Sequence, residues 1–355
     1  MSINMYLSIT LLLAICIYQC NSSSLIRSTK IVMNSNEISL IRSISSTTSR
    51  LSDETLLNQA ATELKVAPPW NAPRFVWSYA WKLHQFMIPI LHFFDRTTPK
   101  DSFINLPVLW WKAISGNRIG SKLYDNRIAF DLLPSITRYI VSFPLCYLFP
   151  NLHHQNVALR TIYLDKALSS ELNDFEASNV IVLGAGYDTR ALRYLQKNQI
   201  HDFFEFDFPN VMKSKALMLE RFKRRRRMTD SHKMPKLYEA DLNELNLVQK
   251  QLKSLFESIN SKKKTIFVVE AVLMYMKDEN VSKLLQIAIQ EASSYGSKSI
   301  SIVFADRFPN VRLDNPQDEK QDVIQFFKQL NLKLQDWCPK PGRARHMGIA
   351  STFDT

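Results

Sequence analysis

Glycine is scarce in this chain: it accounts for 7 of 355 residues, about 2% against about 7% in average proteins. With 46% hydrophobic and 22% charged residues, the composition is globular, which excludes collagen-like, mucin-like and wholly disordered chains. Because glycines are so few, each should mark a position that requires one. Gly184 and Gly186 are the only pair two residues apart, so they are the first candidates for a ligand-binding turn.

Cysteine and metal-binding spacings are also lacking. The chain has four cysteines and no C-x-x-C, and its seven histidines form no H-x-x-x-H or H-x-x-E-H pattern. Two of the cysteines, Cys16 and Cys20, lie in a segment that we expect to be removed. The sequence therefore predicts neither a disulfide framework nor a bound metal.

Charge is absent from residues 5–18, an apolar run too short to cross a hydrocarbon core of about 30 Å comfortably and of signal-peptide length. Residues 21–50 contain ten serines, three threonines, four basic residues and one acid, Glu37, which is typical of a transit peptide. We interpret residues 1–20 as a signal-like hydrophobic segment and residues 21–67 as a Ser/Thr-rich transit-like or disordered segment. Together they predict import into a plastid; entry into the secretory pathway, with or without secretion, is the alternative.

Residues 68–150 are aromatic and hold five of the six tryptophans. The part between residues 74 and 94 resembles a membrane helix, but Lys82 and Pro89 are among the residues that interrupt it within one bilayer thickness. We interpret this segment as a helical cap whose aromatic residues shape an acceptor pocket. Peripheral contact with a membrane is a second use of the same residues.

Residues 151–355 alternate short β-branched or aromatic runs with long helical patterns, which predicts an α/β fold with a mostly parallel sheet and helices on both faces. The strand candidates are residues 180–183, 202–206, 236–240, 265–270 and 299–304. The helix candidates are residues 153–173, 189–197, 209–227, 244–260 and 278–295. Ligands bind such sheets beyond the carboxyl ends of the strands, so the residues that follow each strand are the functional candidates.

The first strand ends in Leu-Gly-Ala-Gly-Tyr-Asp-Thr-Arg, residues 183–190. Two glycines after a strand allow a tight turn and a close approach of the backbone to a ligand at the next helix N-terminus. A dinucleotide fingerprint would place a third glycine where this chain has Thr189. The pattern therefore favours a nucleotide-like ligand other than NAD or FAD.

Carboxylates follow the next three strands. Asp207 lies 21 residues beyond Gly186, where a carboxylate can accept both ribose hydroxyls of an adenosine. Asp241 follows the third strand and could accept from an adenine amino group, and Glu270 ends the fourth. With the glycine turn after the first strand, four successive strands end in candidate binding groups, which predicts one composite site.

The strings VIVLGAGYDTRALRY, FFEFDFPNV, ADL and FVVEAVLMYM resemble motifs of the leucine carboxyl methyltransferase-like family of S-adenosylmethionine-dependent O-methyltransferases. The similarity is closest to its bacterial-type branch and covers about residues 105–355. It implies a Rossmann-like class I methyltransferase fold over residues 151–355, beneath the helical cap, with S-adenosylmethionine as cofactor.

Carried over by position, the resemblance implies that Arg160 pairs with the cofactor carboxylate and that Gly184 and Gly186 face its methionine and adenosine parts. It also implies that Asp207 binds the ribose and that Asp241 and Leu242 bracket the adenine. Glu270 would lie nearest the sulfonium. The family also uses a lysine near its N-terminal helices for the carboxylate. Lys122 is the nearby lysine, although its register does not match convincingly.

We expect the acceptor to be a carboxyl or hydroxyl group of a small molecule. A carboxylate is already ionised near neutral pH and needs no general base. A hydroxyl needs one, and the candidates are Glu270, Tyr275 and His346.

Three other functions stay open on the sequence: a dinucleotide-dependent oxidoreductase, a nucleic-acid methyltransferase, and a catalytically inactive cofactor-binding or membrane-surface module. The formal net charge of +12 and the basic run in residues 221–227 favour an anionic partner, but this run also suits the solvated C-terminal end of a helix. The chain has no Asn-Pro-Pro turn after the fourth strand, so we expect no nucleic-acid partner.

Overall fold

A computed structural model describes scattered positions between residues 82 and 138 and then residues 151–172, 176–197, 200–229, 232–311, 316–338 and 346–352. The signal-like and transit-like segments that we predicted, and Lys122, lie outside these residues. The positions described between residues 82 and 138 are mainly helical.

Seven strands form one mixed sheet in the order β3-β2-β1-β4-β5-β7-β6. The strands are β1 (Ser178–Leu183), β2 (Asp202–Asp207), β3 (Lys236–Glu239), β4 (Lys264–Glu270), β5 (Ile300–Asp306), β6 (Lys333–Cys338) and β7 (His346–Ser351). The first five strands are parallel to one another, whereas β7 runs antiparallel between β5 and β6. In the order of the sheet, β1 lies between β2 and β4, so the connections on its two sides diverge.

Helices cover both faces of the sheet. They are α1 (Arg127–Leu132), α2 (Asn151–Glu171), α3 (Arg190–Lys197), α4 (Pro209–Arg226), α5 (Leu245–Ser258), α6 (Asp278–Ser294) and α7 (Pro316–Gln329). One buried apolar cluster contains residues of helices α1, α2, α3 and α4 and of one face of the sheet. A second cluster contains residues of helices α5, α6 and α7 and of the other face. Along β1, Val180 and Val182 belong to the first cluster while Ile181 and Leu183 belong to the second, as the two-residue period of a strand requires.

Local sequence explains why these elements form where they do. β1 and β5 are buried along their whole length, and interior parallel strands of this kind read as continuous apolar runs. Pro209 begins α4, where its missing N–H costs no helical hydrogen bond. Arg227 caps the C-terminal end of this helix. Its left-handed backbone (φ 51°) lets its N–H donate to the carbonyl of Arg224 in the last turn.

A fully buried ion pair links β2 to α4. Lys215 Nζ lies 2.6 Å from Glu205 Oε2, and both side chains are shielded from solvent. Burial raises the pKa of Glu205 to about 7 despite the opposing charge of Lys215. The pair therefore joins strand and helix at a desolvation cost that depends on pH.

The structure confirms the α/β fold and all five predicted strands, together with the five predicted helices, to within a few residues. The sequence analysis did not identify α7, β6 or β7. Apolar residues of the predicted cap, among them Leu109 and Leu132, belong to the same cluster as β1, so the described part of the cap packs directly on the sheet domain. The boundaries at residues 68 and 150 stay predictions.

None of the helices in the described ranges is long and apolar enough to cross a bilayer.

Candidate functional site

The candidate site lies at the carboxyl ends of β1, β2 and β4. β1 leads into α3 on one face of the sheet, whereas β4 leads towards α6 on the other. Connections that leave neighbouring strands for opposite faces open a crevice at the edge of the sheet. Most of the site residues that we predicted follow these strands.

The turn after β1 is held by the neighbouring strand. The N–H groups of Gly184 and Ala185 both donate to the carbonyl of Phe206, at 2.8 and 3.0 Å. Gly184 has φ +70°, and a Cβ there would lie 2.3 Å from Cγ2 of Val272. Gly186 has φ +47°, and a Cβ there would meet nothing within 4 Å. Gly184 is thus required by packing as well as by backbone conformation, whereas Gly186 borders open space that a ligand can enter.

Asp207 ends β2 and is joined to this turn. Its Oδ2 accepts from the N–H of Gly186 at 2.6 Å, and its Oδ1 accepts from the N–H of Phe208 at 2.7 Å. Burial raises the pKa of Asp207, and these two N–H bonds oppose the shift. A carboxylate has about four acceptor positions, so Asp207 keeps capacity for the two hydroxyls of a ribose beside Gly186.

Asp241 and Leu242 follow β3. Asp241 Oδ1 accepts from the N–H of Asn243 at 2.9 Å, which shapes the turn that leads to α5. Leu242 is buried in the apolar cluster beneath α5. The structure thus places Asp241, the carboxylate predicted to bind the adenine edge, in a turn that its own side chain stabilises.

Glu270 ends β4 and is the centre of a buried ionic cluster. Its Oε1 accepts from Arg160 Nε at 2.6 Å, and its Oε2 accepts from Arg190 Nη1 at 2.5 Å. Lys112 Nζ lies 3.5 Å from the same Oε2. Side chains from α2, from α3 and from helical residues 108–113 therefore converge on one carboxylate.

The cluster continues along α3. Arg190 also pairs with Asp188, and its Nε lies 3.0 Å from Asp165 Oδ1. Arg193 pairs with the same Asp165 carboxylate. The described cluster then contains four cations and three carboxylates: Lys112, Arg160, Arg190 and Arg193 against Asp165, Asp188 and Glu270. Among these described side chains the cations outnumber the carboxylates by one, which suits an anionic ligand group.

Electrostatics keep Glu270 ionised. Burial alone would raise its pKa, but the charges of the three cations that surround it outweigh burial and hold the pKa well below its ordinary value. For Lys112, burial lowers the pKa although Glu270 opposes the shift. A carboxylate with so low a pKa accepts a proton poorly, so this geometry favours Glu270 as an electrostatic partner over Glu270 as a general base.

The other two candidate bases lie apart from Glu270. Tyr275 ends the short 3₁₀ helix Leu273–Tyr275 that follows β4, and its side chain is 74% exposed. His346 begins β7, where its buried Nδ1 lies 2.7 Å from Glu319 Oε1 of α7. Because α7 covers the face opposite α2 and α3, His346 is not brought to the ionic cluster.

Lys112 is the residue that sequence reasoning missed. Lys122, the lysine considered from the sequence, lies outside the described residues, and the structure brings Lys112 to Glu270. The signal available in the sequence was a single lysine inside the apolar string LPVLWWKAI. A buried lysine in such a string needs a carboxylate partner.

The basic run at the end of α4 has partners within the chain. Arg225 Nη1 donates to the carbonyls of Asp131 and Leu133, at 2.6 and 3.0 Å. Arg226 pairs with the carboxylate of Asp131. At least these two arginines fasten α1 to the C-terminal end of α4, as well as suiting the helix dipole.

One family profile matches part of this chain. Residues 148–288 match the family profile described as leucine carboxyl methyltransferase. This range includes Arg160, the glycine turn, Asp207, Asp241 and Glu270, whereas Lys112 lies before it. Among curated proteins, none matches the chain.

Solved structures that are similar to parts of this chain include several methyltransferases. A candidate methyltransferase from Thermobifida fusca YX is 11% identical, with 70% of this chain and 95% of that chain covered and a TM-score of 0.44. A SAM-dependent methyltransferase from Aquifex aeolicus is 12% identical, with coverages of 53% and 89% and a TM-score of 0.32. An O-methyltransferase family protein from Burkholderia thailandensis is 12% identical, with coverages of 57% and 60% and a TM-score of 0.34.

Proposed function

We propose that this chain transfers the methyl group of S-adenosylmethionine to a carboxylate oxygen of a small molecule. Residues 148–288 match the leucine carboxyl methyltransferase family model, and the chain is an S-adenosylmethionine-dependent methyltransferase. The family match confirms the activity class and the cofactor that the sequence predicted. The acceptor is our proposal. It is carried by the observation that Glu270, Asp207 and Asp306 at the edge of the sheet already accept hydrogen bonds from donors within the chain.

The described residues fit the cofactor. The open space at Gly186 can receive its adenosine, and Asp207 beside that space has acceptor capacity for the ribose. The excess of cations among the described side chains of the ionic cluster suits the methionine carboxylate, with Lys112 and Arg160 as its ligands. Glu270 can accept from the methionine ammonium group, since its carboxylate stays ionised.

When bound, the cofactor supplies an electrophilic methyl group on a sulfonium. The chain then has to align the acceptor oxygen at about 3 to 3.5 Å and exclude water. Arg160 and Arg190 contribute alignment because they fix both oxygens of Glu270. The glycine turn contributes by holding the backbone close to the ligand.

A carboxylate acceptor fits the protonation states at the edge of the sheet. Glu270, Asp207 and Asp306, which end β4, β2 and β5, each have donors: Glu270 binds guanidinium groups, Asp207 binds the Gly186 turn, and Asp306 binds backbone N–H groups. None of these three is poised to remove a proton from an alcohol. A carboxylate needs no such step, because it is ionised near neutral pH.

The decisive experiment supplies the purified protein with methyl-labelled S-adenosylmethionine and a panel of carboxylic acids and phenols. Products are then treated with mild alkali. A carboxyl methyl ester releases volatile labelled methanol, which is the expected result. Label that survives alkali would identify an ether and replace the carboxylate by a hydroxyl acceptor, and no transfer at all would leave a binding module.

We also propose, from the sequence of residues 1–67, that the protein is imported into a plastid. A fusion of these residues to a fluorescent protein tests the proposal. Signal in the endoplasmic reticulum or the medium would favour the secretory alternative, and diffuse cytosolic signal would reject both.

A further inference from the structure

Asp306 is a buried carboxylate that the proposed reaction does not use. It ends β5 with no exposed surface. Its Oδ2 accepts from the N–H groups of Val272 and Leu273, at 2.6 and 2.8 Å. Its Oδ1 accepts from the N–H groups of Met274 and Arg307, at 3.2 and 2.8 Å. One carboxylate therefore satisfies three successive N–H groups of the turn after β4, besides the N–H of its own neighbour.

The turn that Asp306 holds starts in an unusual backbone conformation. Ala271 has φ 57°, a backbone region that residues other than glycine seldom adopt. Its N–H donates to the carbonyl of Ala305 at 3.1 Å. The turn is thus fixed to β5 at both the backbone and the carboxylate, which keeps Ala271 in a conformation that it would not adopt alone.

Val272 connects this turn to the candidate cofactor site. Its side chain fills the space where Gly184 lacks a Cβ, with Val272 Cγ2 only 2.3 Å from the position of that missing atom. Gly184 in turn holds the loop that leads to Gly186 and Asp207. The chain of contacts therefore runs from Asp306 through Val272 to the loop beside the open space.

We propose that Asp306 is a positioning residue for cofactor binding, acting through Val272, which it holds against Gly184. The proposal rests on the cofactor site assigned above, but it is independent of the acceptor. Asp306 itself does not touch the cofactor. It determines the shape of the loop that does.

The test measures binding of S-adenosylhomocysteine, the demethylated product, by calorimetry in the wild-type protein and in Asp306→Asn. An asparagine keeps the size of the side chain but turns an amide NH₂ towards backbone donors. Loss of charge-assisted bonds of this kind weakens a linked equilibrium by roughly 10-fold or more, so we expect Kd to rise by roughly 10-fold. Asp202→Asn is the matched control, because Asp202 binds Lys233 and Lys263 at the opposite end of β2 and should leave Kd unchanged.

A merely structural role is separated by a double-mutant cycle with Val272→Ala. If Asp306 acts through Val272, the double variant binds no more weakly than the weaker single variant. Independent effects would instead multiply, and that result, or an unchanged Kd in Asp306→Asn, would overturn the proposal.

Two further variants keep the proposal testable if Asp306→Asn does not fold. Val272→Ala should weaken binding, whereas Val272→Thr, which keeps the β-branched shape at a side chain that is only partly buried, should bind within about threefold of the wild-type protein. An unchanged Kd in Val272→Ala would also overturn the proposal. Failure of the wild-type protein to bind would reject the cofactor site itself, whereas wild-type binding without carboxylate methylation would reject only the acceptor.

Discussion

Lys112→Met tests the ionic cluster because stability and cofactor binding should respond differently. In the free protein, burial lowers the pKa of Lys112, so the charged lysine pays a desolvation cost there. The Lys112→Met variant loses the long contact of 3.5 Å between Lys112 Nζ and Glu270. Glu270 keeps its contacts with Arg160 and Arg190, at 2.6 and 2.5 Å. The described cluster changes from four cations and three carboxylates to three of each.

The expected magnitudes follow from this count. Methionine matches lysine in length and removes the surplus charge, so the free energy of unfolding should fall by no more than about 1 kcal/mol, or should rise. If Lys112 binds the methionine carboxylate, one charge-assisted hydrogen bond of about 1.5–3 kcal/mol is lost. This corresponds to a roughly 10- to 150-fold increase in the Kd for S-adenosylmethionine.

Urea denaturation measures stability and calorimetry measures Kd, each in Lys112→Met and in the control Lys264→Met. Lys264 lies outside the site, and its Nζ is 2.8 Å from Oε2 of Glu171. A partly exposed ion pair of this kind contributes less than about 1 kcal/mol to stability. Replacement of Lys264 should not alter Kd. A Lys112→Met protein that is strongly destabilised yet binds within about twofold of the wild-type Kd would show that the lysine is structural and would refute our assignment.

Three further predictions concern the glycine turn, Asp207 and the buried pair of β2 and α4. Gly184→Ala should lower the melting temperature more than Gly186→Ala, because only the first new methyl group meets Val272; Gly186→Ala should instead weaken cofactor binding, and the reverse order in thermal melts and calorimetry would contradict the packing. Asp207→Ala should raise the Kd for S-adenosylmethionine by roughly 10- to 150-fold without unfolding the protein, and an unchanged calorimetric Kd would remove Asp207 from the site. The folded-state pKa of Glu205 is raised to about 7, above its ordinary value near 4.5, so its contribution to stability is present below about pH 4.5 and is lost as the pH rises through about 7. Lys215→Met should therefore destabilise less at pH 5 than at pH 8 in urea denaturation, because Glu205 takes up a proton; an equal loss at both values would contradict a raised pKa.

The parallel core could be predicted because its signals are local. β1 is an apolar run that directly precedes the turn with Gly184 and Gly186, and β4 is an apolar run that ends in Glu270, so strand and site residues share one stretch of sequence. Parallel packing then brings the strand ends together without further information.

The remainder depends on contacts between distant segments. Lys112 reaches Glu270 across more than 150 residues, and the sequence offers no register that would select it over Lys122. β7 reads His-Met-Gly-Ile-Ala-Ser, a weak strand signal, and pairing with β5 and β6 stabilises it. Gly348 permits this pairing, since a Cβ there would lie 2.5 Å from the carbonyl oxygen of Asp336 and from Cζ of Phe304.

The late position of β7 also bears on how the protein is made. Because β7 lies between β5 and β6, a nascent polypeptide cannot complete the sheet until residues 346–351 have left the ribosome. Until then, β5 presents an apolar edge with unpaired backbone groups, which is the kind of surface that recruits other chains and chaperones. Folding yield during synthesis should therefore be limited at this strand rather than at the cofactor turn, which is translated more than 150 residues earlier.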